Sequence, residues 1–427
     1  LLVFEIHGQN KNKMKTANLF PEDSYEEEPL QPVTSFTGRF MITPHLDQMK
    51  VTSFRKFFES EGLKVAQAGD FDDISQPILE SDYQQADVML FEDMGVGILG
   101  IDPDKSAWLM NKSHQLSFYM EPEELIVTQK LSSAAEAGDS SLFSEEGSTW
   151  GLHNCGVLES EFTGRGVKVA ILDTGFEMDH DDFEGRTIVA KSFVPGETVD
   201  DSNGHGTHCT GIACGDTDEK GIRYGIAKNA EIFIGKVLKG THGRGPDSWT
   251  ISAINWAANN GCDVINVSLG TRVFHKRSFK KGLERAAKYA NSKGALVIAA
   301  AGNHSARQYG FKNPIGSPAN CPSVMAVAAV DKSHKVYFRS NSAEGSNDSM
   351  DMSGPGVKVY SSWLTSKGKY RTLSATSMAA PHVTGIAALY AEKFQQLGPE
   401  SLWQALKFSA THLGDVNDFG AGLVKAP

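Results

Sequence analysis

Four side chains in small-residue settings have the types and order that acyl-transfer chemistry needs. Ser377 sits in Leu373-Ser374-Ala375-Thr376-Ser377-Met378-Ala379-Ala380-Pro381-His382-Val383, a turn of small residues that opens into the apolar run Gly385–Ala391. That pattern puts Ser377 at a helix N-terminus, where backbone N–H groups lack intrahelical partners and the dipole favours negative charge. With a general base nearby, a serine so placed becomes a nucleophile. Pro381 is expected in the first helical turn, where a missing N–H costs little. Taken alone, a serine at a helix start reads as an N-cap, so the upstream residues decide. Asp173 directly follows the apolar run Val167–Leu172; by itself it would read as an Asx turn. His205 lies in Asn203-Gly204-His205-Gly206-Thr207-His208, where flanking glycines permit close approach. No acidic residue completes an H-E-x-x-H pattern with the two histidines, which argues against a zinc helix. Asn303 follows Ala299-Ala300-Ala301-Gly302 and offers a side-chain donor to a developing oxyanion.

The elements that must hold these residues follow from the apolar pattern. Val167–Leu172, Glu231–Leu238, Asp263–Val267, Ala295–Ala301 and Ser323–Val330 read as buried strands. Helical patterns over Asp247–Asn260, Lys276–Ser292, Ser377–Leu397 and Pro399–Ala410 alternate with them. The expected fold class is therefore α/β, a parallel sheet with helices on both faces, with functional residues at the C-terminal ends of strands. The first third reads differently. Strands Thr37–Thr43, Ala86–Phe91, Gly95–Gly100 and Gln115–Met120, a helix over Leu46–Glu61 closed by Gly62, and a short helix near Ser106–Asn111 suggest a small α+β domain. The expected organisation is an acidic flexible leader (1–35), this domain (36–130), a Ser/Ala/Glu/Gly-rich linker (131–148) and the α/β domain (149–427).

Composition sets outer bounds. The chain has 427 residues and a net charge of −11. Residues 1–130 carry 11 Lys+Arg against 22 Asp+Glu, so the remainder is neutral and the whole imbalance lies at the front. Absence of a basic stripe argues against nucleic acid, and no apolar run is long enough for a membrane span. Leu1-Leu2-Val3-Phe4 is too short for a signal-peptide core, so any signal was removed or never present. The five cysteines are odd in number and match no zinc spacing; if the others pair, at least one thiol is free.

Leu172-Asp173-Thr174-Gly175, His205-Gly206-Thr207-His208, Val267-Ser268-Leu269-Gly270, Ala301-Gly302-Asn303 and Thr376–Val383 together resemble the signature blocks of subtilisin-like serine proteases. The order Asp, His, Ser is that family's order, and the resemblance covers about residues 149–427. It implies a serine endopeptidase acting on polypeptides without a catalytic cofactor. Ser377 would be the nucleophile, His205 the general base, Asp173 its orienter, and Asn303 an oxyanion donor. Gly243-Arg244-Gly245 and Ser268-Leu269-Gly270 would be the edges between which a substrate strand adds, with Gly302 beside them. The N-terminal domain resembles, more weakly, the family's propeptide, a ferredoxin-like α+β inhibitor. Leu125–Gln129 would then occupy the active site and self-cleavage would fall near Gln129-Lys130. Protonating the acidic prodomain would weaken its docking. Asp182, Asp216 and Asp218 match positions of a structural Ca²⁺ site. Cys209 resembles the buried cysteine of the thiol-bearing, proteinase K-like branch. A secreted or exported location is the expectation.

One residue departs from the pattern. The family usually has Gly two positions before the nucleophile, and this chain has Ala375. If a positive φ is needed there, Ala375 slows catalysis or maturation, which is the support for the rival reading of a pseudoprotease that works by binding. An esterase on an α/β-hydrolase fold is disfavoured because no Gly-x-Ser-x-Gly elbow surrounds Ser377.

Overall fold

The computed structural model describes residues 36–45, 51–67, 86–113, 118–128, 132–133, 147–274, 278–344, 348–395 and 397–427. The proposed leader, Leu46, Gln129-Lys130 and most of the proposed linker lie outside them. All described residues fall in one compact unit, Thr34–Pro427.

The N-terminal region contributes β1 (Phe36–Pro44), α1 (Val51–Ser60), β2 (Val65–Gln67), β3 (Val88–Phe91), β4 (Val96–Leu99), α2 (Pro103–Ser113) and β5 (Phe118–Thr128). Its strands lie in the order β5-β1-β4-β3-β2, antiparallel except for β2 with β3. Alternation gives the sheet two apolar faces. Ile42, Val88, Leu90, Leu99 and Phe118 pack on Phe54, Phe58 and Leu109 of its own helices. Met41, Met89, Phe91, Val96 and Ile98 face the other way, into the core of the C-terminal region. Each such fully buried side chain is worth ~1.5–3 kcal/mol.

After β6 (Ser132–Ser133) and α3 (Trp150–Asn154) the large sheet begins. Its strands are β7 (Lys168–Asp173), β8 (Ile188–Ser192), β9 (Glu231–Lys236), β11 (Val264–Val267), β13 (Leu296–Ala300), β14 (Met325–Val330) and β15 (Met352–Pro355). They lie in the order β15-β14-β13-β11-β7-β9-β8, and every neighbouring pair is parallel. α4 (His205–Cys214), α7 (Thr376–Phe394) and α8 (Pro399–Ser409) cover one face; α5 (Asp247–Asn259) and α6 (Lys281–Ser292) cover the other. The fold is thus the expected α/β arrangement. Short edge strands β10 (Arg244–Pro246) and β12 (Leu269–Gly270), and a hairpin of β16 (Val359–Ser362) and β17 (Tyr370–Ser374), complete the site's surroundings.

β5 runs eight residues beyond Met120, the expected strand end. Its extension adds between the two edge strands, antiparallel to both: Leu125–Val127 pair with β10, and Val127 and Thr128 pair with β12. Such partners lie more than a hundred residues away in sequence, so local pattern could not reveal the extension.

Candidate active site

Asp173 is the last residue of β7, in the middle of the parallel sheet, and His205 is the first residue of α4. Asp173 Oδ1 accepts from His205 Nδ1 at 2.7 Å and from the Thr174 N–H at 2.7 Å. The pair is fixed from several sides. Gly206 N–H donates to Thr174 Oγ1 at 2.8 Å, and a Cβ on Gly206 would collide with the Gly175 carbonyl. Gly204 has φ +106°, a left-handed conformation that favours glycine. Buried Asp201 accepts from the Asn203, Gly204 and Thr207 N–H groups and the Thr207 hydroxyl, and so holds the start of α4. Buried Lys236 donates to the Thr174 and Asp200 carbonyls at 2.8 Å each. Asp201, which opens the His205 motif, and Lys236 position the site. A lysine ending the apolar strand Glu231–Lys236 is the sequence signal for the second.

Burial alone would push His205 down, but the Asp173 carboxylate reverses this and holds the imidazole well above its ordinary range. His205 Nε2 is buried and has no hydrogen-bond partner among the described residues. His208 serves the scaffold: burial lowers it to about 3, and its Nε2 bonds the Arg371 carbonyl at 2.9 Å. Among the described residues, the one cluster of three metal-ligand types is Asp173, His205 and Cys209. Its first two members are already joined by their own hydrogen bond. Asp182, Asp216 and Asp218 form no such group.

Ser377 is the second residue of α7, as the small-residue turn suggested. Its hydroxyl donates to the Ser268 carbonyl at 3.1 Å. Pro381 is not in the first turn as expected; it is the sixth residue of the helix. A proline there leaves the carbonyl four residues earlier without its helical donor, and that carbonyl belongs to Ser377. Ser268 Oγ at 3.0 Å and Cys209 Sγ at 3.4 Å donate to it instead. Cys209 is therefore a donor to the Ser377 peptide as well as a core residue. All five cysteines are buried and free, so none of them pairs.

Ala375 is the N-cap of α7, with φ −174° and ψ 166°. This is ordinary extended backbone, open to any residue. The strain anticipated for alanine is absent, and with it the support for a pseudoprotease. Asn303 Oδ1 accepts from the Thr376 N–H at 2.9 Å, which sets the orientation of its amide beside Ser377. Gly302 has φ +110° and donates its N–H to Thr376 Oγ1 at 3.2 Å.

The groove beside these residues is filled by the chain itself. β5 lies between Arg244–Pro246 and Leu269–Gly270, and the Thr128 N–H donates to the Gly243 carbonyl at 2.9 Å. Ser132 and Ser133 pair with Ser374 and Leu373, just before Ser377. Carboxylates secure the seam, with Glu123 and Glu124 buried and Glu121 half-buried. Glu121 accepts from the first N–H of α6, Lys281, at 2.7 Å, and Glu123 from Ser248 N–H of α5 at 3.1 Å. Carboxylates at helix N-termini satisfy orphan donors and complement the dipole. Glu123 also takes Arg39 Nε and Thr37 Oγ1, each at 2.6 Å. Lys280 pairs with Asp247 and, at 2.9 Å, with Glu124.

Comparison with known proteins agrees with this geometry. Residues 164–422 match the family model described as the subtilase family, Peptidase_S8. The chain is 39% identical over 265 residues to Subtilisin DY of Bacillus licheniformis, covering 62% of this chain and 90% of that protein. It is 40% identical over 275 residues to Subtilisin BL of Lederbergia lenta, covering 64% and 92%. Among solved structures it resembles a cold adapted subtilisin-like serine proteinase, with 32% identity and a TM-score of 0.56 over 66% of this chain and 99% of that one. With the family model spanning well over half its length, the chain belongs to the subtilase family of serine endopeptidases.

Proposed function

We propose that this chain is the latent precursor of the endopeptidase, with residues 36–130 as its intramolecular inhibitor, 131–148 as a linker and 149–427 as the catalytic domain. The observation that carries this reading is β5, seated as a strand between two edges of the C-terminal region, with Ser132 and Ser133 paired to Ser374 and Leu373 just before Ser377. A polypeptide substrate would add in the same way between Gly243–Gly245 and Ser268–Gly270, alongside Gly302, by main-chain pairing.

In the proposed chemistry the Ser377 hydroxyl leaves the Ser268 carbonyl and donates to His205 Nε2. As Oγ attacks the scissile carbonyl, His205 takes its proton, and Asp173 stabilises the imidazolium that forms. The oxyanion is held by the Ser377 N–H and the Asn303 amide. His205 then protonates the leaving amine, and water releases the acyl group by the same base. No cofactor is needed. The same chemistry would cut the chain between Thr128 and Ser132. Removing the first 130 residues would also remove the whole charge imbalance. Kinship to the subtilisins supports a secreted setting.

A fluorophosphonate probe tests the assignment. Active-site labelling should fall on Ser377, weakly in the intact chain and stoichiometrically once the N-terminal region has been removed. A chain cleared of that region that leaves Ser377 unmodified would overturn it.

A further inference from the structure

The loop after α4 is where the sequence marks a cation site, and three tyrosines close it. Asp182 Oδ2 accepts the Tyr224 hydroxyl at 2.7 Å, and Oδ1 accepts the Tyr370 hydroxyl at 2.9 Å. Asp218 Oδ2 accepts the Tyr360 hydroxyl at 2.8 Å, and Oδ1 accepts the Lys220 and Ile222 N–H groups, each at 2.8 Å. Asp216 turns elsewhere, toward Thr217 Oγ1 at 3.1 Å and Lys228 Nζ at 3.5 Å. The three rings form one cluster: Tyr360 stacks on Tyr370 at 5.4 Å, and Tyr224 meets both edge-on at 6.2 Å. Tyr224 is buried at 1% exposure. On the outer side, Lys369 Nζ bridges Asp181 at 2.8 Å and Glu219 at 3.0 Å.

These residues do not fit the cation that the family resemblance implies. Ca²⁺ gathers about 6–8 oxygens with their lone pairs turned inward. Here every carboxylate oxygen of Asp182 and Asp218 already faces a proton. A cation drawing on the lone pairs that accept these protons would displace three phenols from a packed aromatic cluster, and the three aspartates do not converge on one point.

We infer that this chain fixes the loop after α4 by a tyrosine–aspartate hydrogen-bonded lock in place of a structural calcium ion. The lock joins three segments: the turn after β7 through Asp182, the loop after α4 through Asp218 and Tyr224, and the β16–β17 hairpin through Tyr360 and Tyr370. It ties down both the loop behind His205 and the strand that leads into Ser377.

The test uses the full chain carrying Ser377→Ala, which prevents self-digestion. Thermal unfolding is followed in millimolar calcium and in excess EGTA, for this chain and with Asp182→Asn, Tyr360→Phe or Tyr370→Phe added. The inference expects one Tm in both buffers, and Phe variants whose Tm falls equally in both. A calcium-dependent Tm that survives in Asp182→Asn also supports it, because the ion then binds elsewhere. A rise of roughly 5–10 °C with calcium that disappears in Asp182→Asn would overturn it, as would Phe variants that melt with the parent. Terbium gives a second readout. Emission sensitised by tyrosine excitation, competed away by calcium and lost in Tyr360→Phe and Tyr370→Phe, would place an ion among these rings and sink the inference; no such emission is expected.

Discussion

The Asp173–His205 pocket and the seam where β5 meets α5 and α6 are both built from buried charge, yet they hold it differently. In the pocket, the fixing bonds join residues of one region: Asp173 to His205, Asp201 to α4, and Lys236 to the Thr174 and Asp200 carbonyls. At the seam, the bonds run from the N-terminal region to the C-terminal one: Glu121 to Lys281, Glu123 to Ser248, Glu124 to Lys280. The first set outlasts removal of the N-terminal region and the second does not. Changes in the pocket should therefore alter the rate of the chemistry, and changes at the seam should alter latency.

The largest effect should come from Asp173→Asn. Amide for carboxylate keeps the shape but removes the charge that holds His205 up and orients its ring. We expect kcat of the mature enzyme to fall roughly 10⁴-fold with the Tm little changed. A loss below tenfold would mean that the buried pair is structural. Asn303→Ala should come next, at roughly 10²–10³ in kcat. A change confined to KM would instead make Asn303 a binding residue.

The seam gives a pH prediction opposite in sign to the one suggested by the acidic composition. Burial pushes Glu121 up, against the Lys281 and Gly282 N–H groups and the charges of Lys280 and Lys281. Burial likewise pushes Asp247 up, against Lys280 and the Glu124 N–H, with Glu123 adding to the rise. A carboxylate whose pKa is higher docked than open binds protons on docking. Docking therefore strengthens as pH falls through those raised values. Burial alone would lower Lys280, but Asp247 and Glu124 hold it above its ordinary value, so its contribution is complete below that value and is lost in alkali. Latency of the full chain should hold or deepen between about pH 7 and pH 5. Activity that emerges faster in mild acid would contradict this account of the seam.

The smallest effect should be Ala375→Gly. At φ −174° glycine gains nothing, so activity should stay within about twofold and stability should drop by ~0.5–1 kcal/mol through added chain entropy. A clear gain in kcat would show that Ala375 restrains Ser377 after all.

Much of this layout is legible in the sequence. The apolar runs ending at Leu172 and Ala301 put Asp173 and Asn303 at strand ends, because buried parallel strands read as continuous apolar segments. β8 and β15–β17 were harder to see: sequences such as Met352-Ser353-Gly354-Pro355 carry little apolar signal and depend on tertiary neighbours. Pro381 misled because its position depends on Ser268 and Cys209, which are remote in sequence and satisfy the Ser377 carbonyl. The tyrosines that fold over Asp182 and Asp218 are remote in sequence, so carboxylate spacing alone says nothing about them.

β5 is proposed to hand the bonds that follow it to Ser377, and intact-mass and N-terminal analysis of the purified chain over time, beside a Ser377→Ala control, tests this. One new terminus is expected from a bond between Thr128 and Ser132, absent in the control. A first cut outside that window, or the same cut in the Ser377→Ala chain, would contradict it.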